Sequence, residues 1–128
     1  MIYLDSSVVL ARLFSESRSP ADAFWSQPFV SSRLLRYEVI NRLHVRAFDP
    51  VLLEDAGHIV SRFKLIDLSP AVLARALRPF PVPVRTLDGL HLATMDFLRS
   101  QGQMVSLASY DQRLLAAAAA LGFAMEGL

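Results

Sequence analysis

Short apolar segments alternate with helical patterns along this chain, and that alternation constrains the fold more than any other feature. The predicted strands lie at residues 2–4, 29–31, 64–68, 104–108 and 123–125. Short apolar runs without strict polar alternation are typical of parallel strands that are buried on both faces. We therefore expect an α/β fold, with a short central parallel sheet of about five strands and helices on both faces.

Capping and breaking residues divide the rest of the chain into helices. These are predicted at residues 6–14, 20–26, 32–47, 50–63, 70–78, 86–101 and 111–121. Ser32 and Thr86 are the expected N-caps of the two longest helices, and Gly122 is the expected left-handed cap of the last one. The three prolines within residues 79–83 exclude a regular helix or central strand there.

Composition narrows the class of protein. The chain has 128 residues, of which 53% are hydrophobic and 20% charged, so residues 1–128 can form one domain with a buried core. The net charge of +1 does not fit a polybasic nucleic-acid binder, and the absence of Cys excludes disulfides and thiolate chemistry. No apolar run has the ~20 residues of a membrane span, and no targeting signal is visible. We expect a cytoplasmic protein with no membrane partner.

Acidic residues follow the predicted strands at informative places. Asp5 comes directly after the first strand and Asp111 follows the fourth, so both are expected at the same edge of the sheet. Asp88 lies in the first turn of the helix after the proline-rich loop, and Glu38 lies inside the long helix. In parallel α/β sheets, ligands bind at the edge formed by the carboxyl ends of the strands.

Each acid also has a purely structural interpretation. Asp5 and Asp111 can be helix N-caps, Asp88 can be stabilised by the helix dipole, and Glu38 can pair with Arg42 one turn later. However, apolar residues surround most of these acids, and carboxylates at the border of buried surface need a partner. A divalent cation can serve them all, because Mg²⁺ and Mn²⁺ prefer oxygen ligands.

Four motifs in chain order resemble the PIN-domain ribonucleases of the VapC toxin family. They are Met1-Ile2-Tyr3-Leu4-Asp5-Ser6-Ser7, Glu38 with Arg42, Leu87-Asp88-Gly89-Leu90-His91-Leu92-Ala93-Thr94, and Ser109-Tyr110-Asp111-Gln112-Arg113-Leu114. The third is similar to the family's Asp-Ala-Leu-His-Leu-Ala segment, with Gly89 where Ala is commoner. The motifs span the whole chain.

The resemblance implies a metal-dependent endoribonuclease of a type II toxin–antitoxin pair. Carried over to this chain, it makes Asp5, Glu38, Asp88 and Asp111 the catalytic, metal-binding residues for Mg²⁺, with Mn²⁺ as a substitute. The number of ions stays open. The implied partners are an RNA substrate, a VapB-like antitoxin whose tail covers the acidic site, and a second copy of the chain in a homodimer.

Supporting roles are assigned to neighbouring residues. Ser6 and Ser109 stand at the family's hydroxyl positions. Arg42 either contacts a substrate phosphate or holds Glu38 in place, and Arg36, Arg46 and Arg113 are further sources of positive charge.

Two other residues near the motifs are not assigned to the site. His91, one turn after Asp88, can touch a ligand residue, but it is rather expected to pack beneath the site or to bond a backbone carbonyl. Asp96 is expected to be a peripheral or solvated acid.

Two alternative functions make predictions about the sequence that differ from those of a ribonuclease. A receiver-like phosphotransfer domain normally carries an acidic pair at one strand end and a Lys near a later one, whereas Ser6-Ser7 follows Asp5 and Lys64 is the only Lys. The stronger alternative is a non-catalytic PIN-like module that binds RNA or protein. Loss of one or more of the acids would indicate such a module, and all four are present.

Overall fold

A five-stranded, fully parallel sheet forms the centre of the computed structural model, which describes residues 1–46 and 48–128. The strands are β1 (Ile2–Leu4), β2 (Phe29–Ser32), β3 (Lys64–Ile66), β4 (Ser106–Ala108) and β5 (Ala124–Met125), in the order β3-β2-β1-β4-β5. The helices are α1 (Ser6–Leu13), α2 (Leu34–Arg46), α3 (Pro50–Val60), α4 (Pro70–Ala76), α5 (Thr86–Ser100) and α6 (Gln112–Ala120). The α/β fold class is confirmed.

Several predicted boundaries differ from those observed. Residues 22–26 form a 3₁₀ helix rather than part of an α-helix, held by packing of Trp25 against Phe24 and Phe29. Thr86 is not the N-cap of α5 but its first helical residue, and Arg85 takes the cap position without making a side-chain cap bond. Ser32 does accept from the Leu34 N–H at 3.1 Å, as a cap does. The expected end of the long helix, Ala47, lies outside the described residues.

Core side chains lie on both faces of the sheet. Side chains alternate between the two faces along β1. Ile2 and Leu4 therefore pack in a cluster with residues of α1, α2 and α3, and Tyr3 packs in a second cluster with residues of α5 and α6. Each fully buried aliphatic side chain contributes about 1.5–3 kcal/mol relative to an exposed one. Because helices cover both faces, all three residues of β1 are buried, and a ligand can approach only beyond the ends of the strand.

The strand order reverses beside β1. The chain runs from β1 through β2 to β3 on one side and places β4 and β5 on the other, so the crevice between β1 and β4 is the topological switch point. The Asp5 N–H, just past β1, donates to the Ala108 carbonyl at the end of β4 at 3.0 Å. This backbone bond places Asp5 at the point where such folds bind ligands.

Asp96 is a peripheral acid, which is one of the two settings that the sequence predicts for it. It is not solvated, because Arg75 Nε donates to it at 2.5 Å and Arg99 Nη2 at 2.8 Å. Burial raises the pKa of Asp96, but the two guanidinium groups outweigh burial and hold the pKa below its usual value. The Arg75–Asp96 pair joins α4 to α5, and the Arg99–Asp96 pair lies within α5.

Over residues 1–46 and 48–128, no helix combines the length and apolarity that a membrane crossing requires.

Candidate active site

Asp5 joins the loops that follow β1 and β4. Its Oδ2 accepts hydrogen bonds from Ser7 Oγ at 2.6 Å and from Ser109 Oγ at 2.8 Å. The same hydroxyl oxygens accept the backbone N–H groups of Tyr110 at 3.0 Å and Asp111 at 2.9 Å. The side chain of Asp5 is therefore fixed in a buried network that also positions Asp111.

The contacting hydroxyl on the β1 side belongs to Ser7 and not to Ser6. Ser7 is the residue whose N–H is capped by Asp5, which brings its hydroxyl onto the same carboxylate. Ser6 instead lines a cleft of about 300 Å³ together with Glu38 and Arg42. The sequence carried a signal for Ser7, since an N-cap side chain bonds to the residues that follow it in the first turn.

Only one oxygen of the Asp111 carboxylate is used in capping α6. Its Oδ1 accepts from the Arg113 and Leu114 N–H groups at 2.9 and 3.2 Å, as predicted for the N-cap of α6. Its Oδ2 lies 3.4 Å from Arg85 Nη2. The structural interpretation of this residue and an additional role at the site are therefore compatible.

Arg85 lies between two of the candidate acids. The same Nη2 atom is 3.4 Å from Asp88 Oδ2 and 3.4 Å from Asp111 Oδ2. The α5 N-terminus and the α6 N-terminus thus present their carboxylates to one guanidinium group. Sequence reasoning missed Arg85, although its position one turn before Asp88 was a visible signal.

Glu38 is bound by His91 and not by Arg42. His91 Nε2 lies 2.6 Å from Glu38 Oε1, and His91 Nδ1 lies 2.7 Å from the Tyr3 hydroxyl. The Tyr3 hydroxyl also accepts the Ser32 N–H at 3.1 Å. His91 is buried beneath the site, as expected, but it bonds two side chains rather than a backbone carbonyl.

The pKa shifts of Asp88 and His91 connect these two groups to the other candidate acids. Burial and the negative charges of Asp111 and Asp5 raise the pKa of Asp88, and the opposing effect of Arg85 does not cancel them. Burial lowers the pKa of His91, but the carboxylates of Glu38, Asp5 and Asp88 outweigh burial and raise it. Asp5 contributes to both shifts, Asp111 to that of Asp88, and Glu38 to that of His91.

The donors suit a divalent cation in their chemistry. Carboxylate oxygens are the ligands that Mg²⁺ and Mn²⁺ prefer. The pKa of Asp88 is raised first by burial and then by the charges of neighbouring carboxylates, and a cation would oppose both effects. Within the described part of the chain, no three acidic or His side chains lie close enough to hold an ion together. In this structure Arg85 lies beside Asp88 and Asp111, and His91 lies beside Glu38, so three of the acids already have a basic neighbour.

The five-stranded parallel sheet, with strand order β3-β2-β1-β4-β5 and helices on both faces, agrees with a PIN-like fold. No protein-family model matches the chain. Two ribonucleases of Mycobacterium tuberculosis are similar to it: VapC35, 30% identical over 98% of this chain and 95% of its own length, and VapC46, 34% identical over 97% and 95%. The chain therefore belongs to the VapC ribonuclease family.

The fold agrees with that membership. A chain from a toxin–antitoxin complex of Klebsiella pneumoniae superposes with a TM-score of 0.69, at 18% identity, over 94% of both chains. At this level of identity the likeness concerns the fold alone.

Proposed function

We propose that this chain is a metal-dependent endoribonuclease, the toxin of a VapBC-type pair. The observation that carries the proposal is membership of the VapC family in a chain that has all four candidate acids, Asp5, Glu38, Asp88 and Asp111. Arg85 lies between Asp88 and Asp111, and Ser109 bonds both Asp5 and the Asp111 N–H, which supports a common site for these three acids. The alternative of a non-catalytic binding module has no specific support, because none of the four carboxylates is replaced.

These four carboxylates would hold Mg²⁺, or Mn²⁺ in its place. When bound, the ion supplies activation of the attacking water and neutralisation of charge on the phosphate. Residues of the chain orient the carboxylates: Ser7 and Ser109 donate hydrogen bonds to Asp5, and His91 bonds Glu38. Hydrolysis breaks a phosphodiester bond of the RNA and leaves a 3′-hydroxyl.

Positive charge for the RNA comes from arginines beside the acids. Arg42 shares a cleft with Glu38, while Arg85 and Arg113 share another with Asp88. Since His91 rather than Arg42 holds Glu38, the structure favours the phosphate-binding role of Arg42 over the structural one.

The partners follow from the same membership. The fold neighbour from a toxin–antitoxin complex supports a VapB-like antitoxin as partner, and a homodimer acting in the cytoplasm completes the proposal.

The test is cleavage of single-stranded RNA by the purified chain. Cleavage is expected with Mg²⁺ or Mn²⁺ and is expected to stop when EDTA removes the ion, because the carboxylates alone supply no activated water. Gel analysis of a labelled RNA measures both. RNA that is bound but left intact at all cation concentrations would favour the non-catalytic module.

Arg85 is expected to compete with the cation. Two exposed ion pairs of this kind are each worth ~0.2–1 kcal/mol, so Arg85→Gln should tighten Mn²⁺ binding about fivefold. Calorimetric titration of the RNA-free protein measures this, and Arg78→Gln, remote from the acids, is the matched control. Equal Mn²⁺ affinity in the two variants would show that Arg85 does not oppose the ion.

A further inference from the structure

A cleft of about 480 Å³ opens directly beside Asp88 and is not accounted for by the acidic site. Residues 82–84 of the proline-rich loop form one wall, and Ala116 and Ala117 of α6 form the other. Asp88 contributes to its lining, so the cleft and the candidate catalytic centre are continuous. Its volume falls in the range of ~300–1,000 Å³ that is usual for ligand sites.

The chemistry of the cleft combines aliphatic walls with a basic rim. Its walls carry Val, Pro and Ala side chains, which offer apolar surface to a flat ring. Arg85 and Arg113 add two exposed guanidinium groups, which can contact phosphates or stack on a base. A nucleotide has both of the surfaces that this lining complements.

The cleft is also fixed before any ligand arrives. Three prolines within residues 79–83 stiffen the loop wall, and Val84 and Phe80 pack against Gly89 of α5, where an added Cβ would lie 3.4 Å from Val84. The opposite wall is a regular helix. Little ordering entropy is therefore lost on binding.

We propose that this cleft binds one nucleotide of the RNA next to the scissile phosphate, with its base between the two walls and its phosphates at Arg85 and Arg113. The proposal rests on the proposed ribonuclease function and deepens it, because it names the part of the enzyme that selects the flanking base. Purines need more room than pyrimidines, so the width between the loop and α6 determines the preference at that position.

Filling the cleft tests the proposal. Ala116→Leu keeps helix propensity high and adds volume from an exposed position of α6, and Ala120→Leu makes the same change on the same helix outside the cleft. Ala116→Leu is expected to weaken binding of a fluorescent single-stranded RNA in EDTA about tenfold. In Mg²⁺, sequencing of the products from a random RNA pool should show purines lost at one flanking position, while Mn²⁺ affinity stays at the wild-type value.

Charge at the rim gives an independent measurement. Arg113→Gln should weaken RNA binding and lower the slope of log affinity against log salt by about one, whereas Arg78→Gln should leave both unchanged.

The outcomes separate this proposal from the one on which it rests. If Ala116→Leu matches Ala120→Leu in RNA affinity and in base preference, the cleft does not bind RNA. A protein partner then becomes the expected occupant of the cleft. If the wild-type protein itself fails to cleave RNA in Mg²⁺, the ribonuclease function fails, and the subsite fails with it.

Discussion

Replacing Asp88 by Asn is expected to reduce RNA cleavage by more than ~100-fold, the upper range for residues that only orient a metal ligand. Asn keeps the shape of the side chain but removes one of the negative charges that meet at the edge of the sheet. Initial rates on a labelled RNA at saturating Mg²⁺ measure the effect. Asp88 makes no cap bond within the described residues, so its loss disturbs the site rather than a helix end.

The melting temperature of Asp88→Asn distinguishes a loss of catalysis from a loss of folded protein. Because burial and neighbouring carboxylates raise the pKa of Asp88, its ionised form opposes folding at neutral pH, and its favourable contribution is lost as pH rises through the raised pKa. Asp88→Asn should therefore unfold at the same temperature as wild type or higher. A large drop in melting temperature with the drop in rate would contradict this interpretation.

Asp111→Asn extends the test to a residue with a structural role. Asn caps a helix about as well as Asp, so the bonds to the α6 N-terminus survive while the charge is lost. Asp49→Asn is the matched control, since Asp49 caps α3 in the same way at a site remote from the acids. We expect expression of wild type and Asp49→Asn without antitoxin to arrest bacterial growth, and Asp88→Asn and Asp111→Asn to permit it. Growth arrest by all four proteins would remove the acids from the mechanism.

The fold and the places of the acids followed from local features of the sequence. Strand ends are marked by residues such as Asp5 and Asp111, and parallel pairing puts the carboxyl ends of neighbouring strands at one edge whatever the details of packing. Proline and capping residues located most helices for the same reason, since their effects on the backbone are local. Thr86 failed as a cap because the residue before it took the extended conformation instead.

The hydrogen-bond partners of the acids could not be predicted from the sequence, because they come from segments that are distant along the chain. His91 and Glu38 come from different helices, and Ser109 reaches Asp5 across the sheet edge. Arg42 was the sequence-adjacent partner for Glu38, but the buried imidazole lies closer and is held on its other side by Tyr3. Spacing rules describe one helix at a time and do not rank such competitors.

Removal of the His91 imidazole is expected to have the second-largest effect on the site. His91→Phe keeps a planar ring in the buried position but leaves Glu38 without its 2.6 Å partner, so the carboxylate is free to turn away. Groups that orient metal ligands are worth ~10–100-fold in metal affinity or activity. We therefore expect Mn²⁺ affinity and the rate of RNA cleavage each to fall within that range.

Matched variants decide whether His91 positions Glu38 or only fills space. His91→Gln retains an N–H donor and should recover part of the Mn²⁺ affinity. Tyr3→Phe, which removes the bond to Nδ1 and the bond accepted from the Ser32 N–H but leaves the bond to Glu38, should cost less Mn²⁺ affinity than His91→Phe. Met95→Leu changes another fully buried residue of α5 and controls for packing alone. Calorimetric Mn²⁺ titration and thermal unfolding are measured on all four. A fall in melting temperature with unchanged Mn²⁺ affinity in His91→Phe would make the residue structural, because a positioning role requires the carboxylate to lose its hold on the ion when the imidazole is removed.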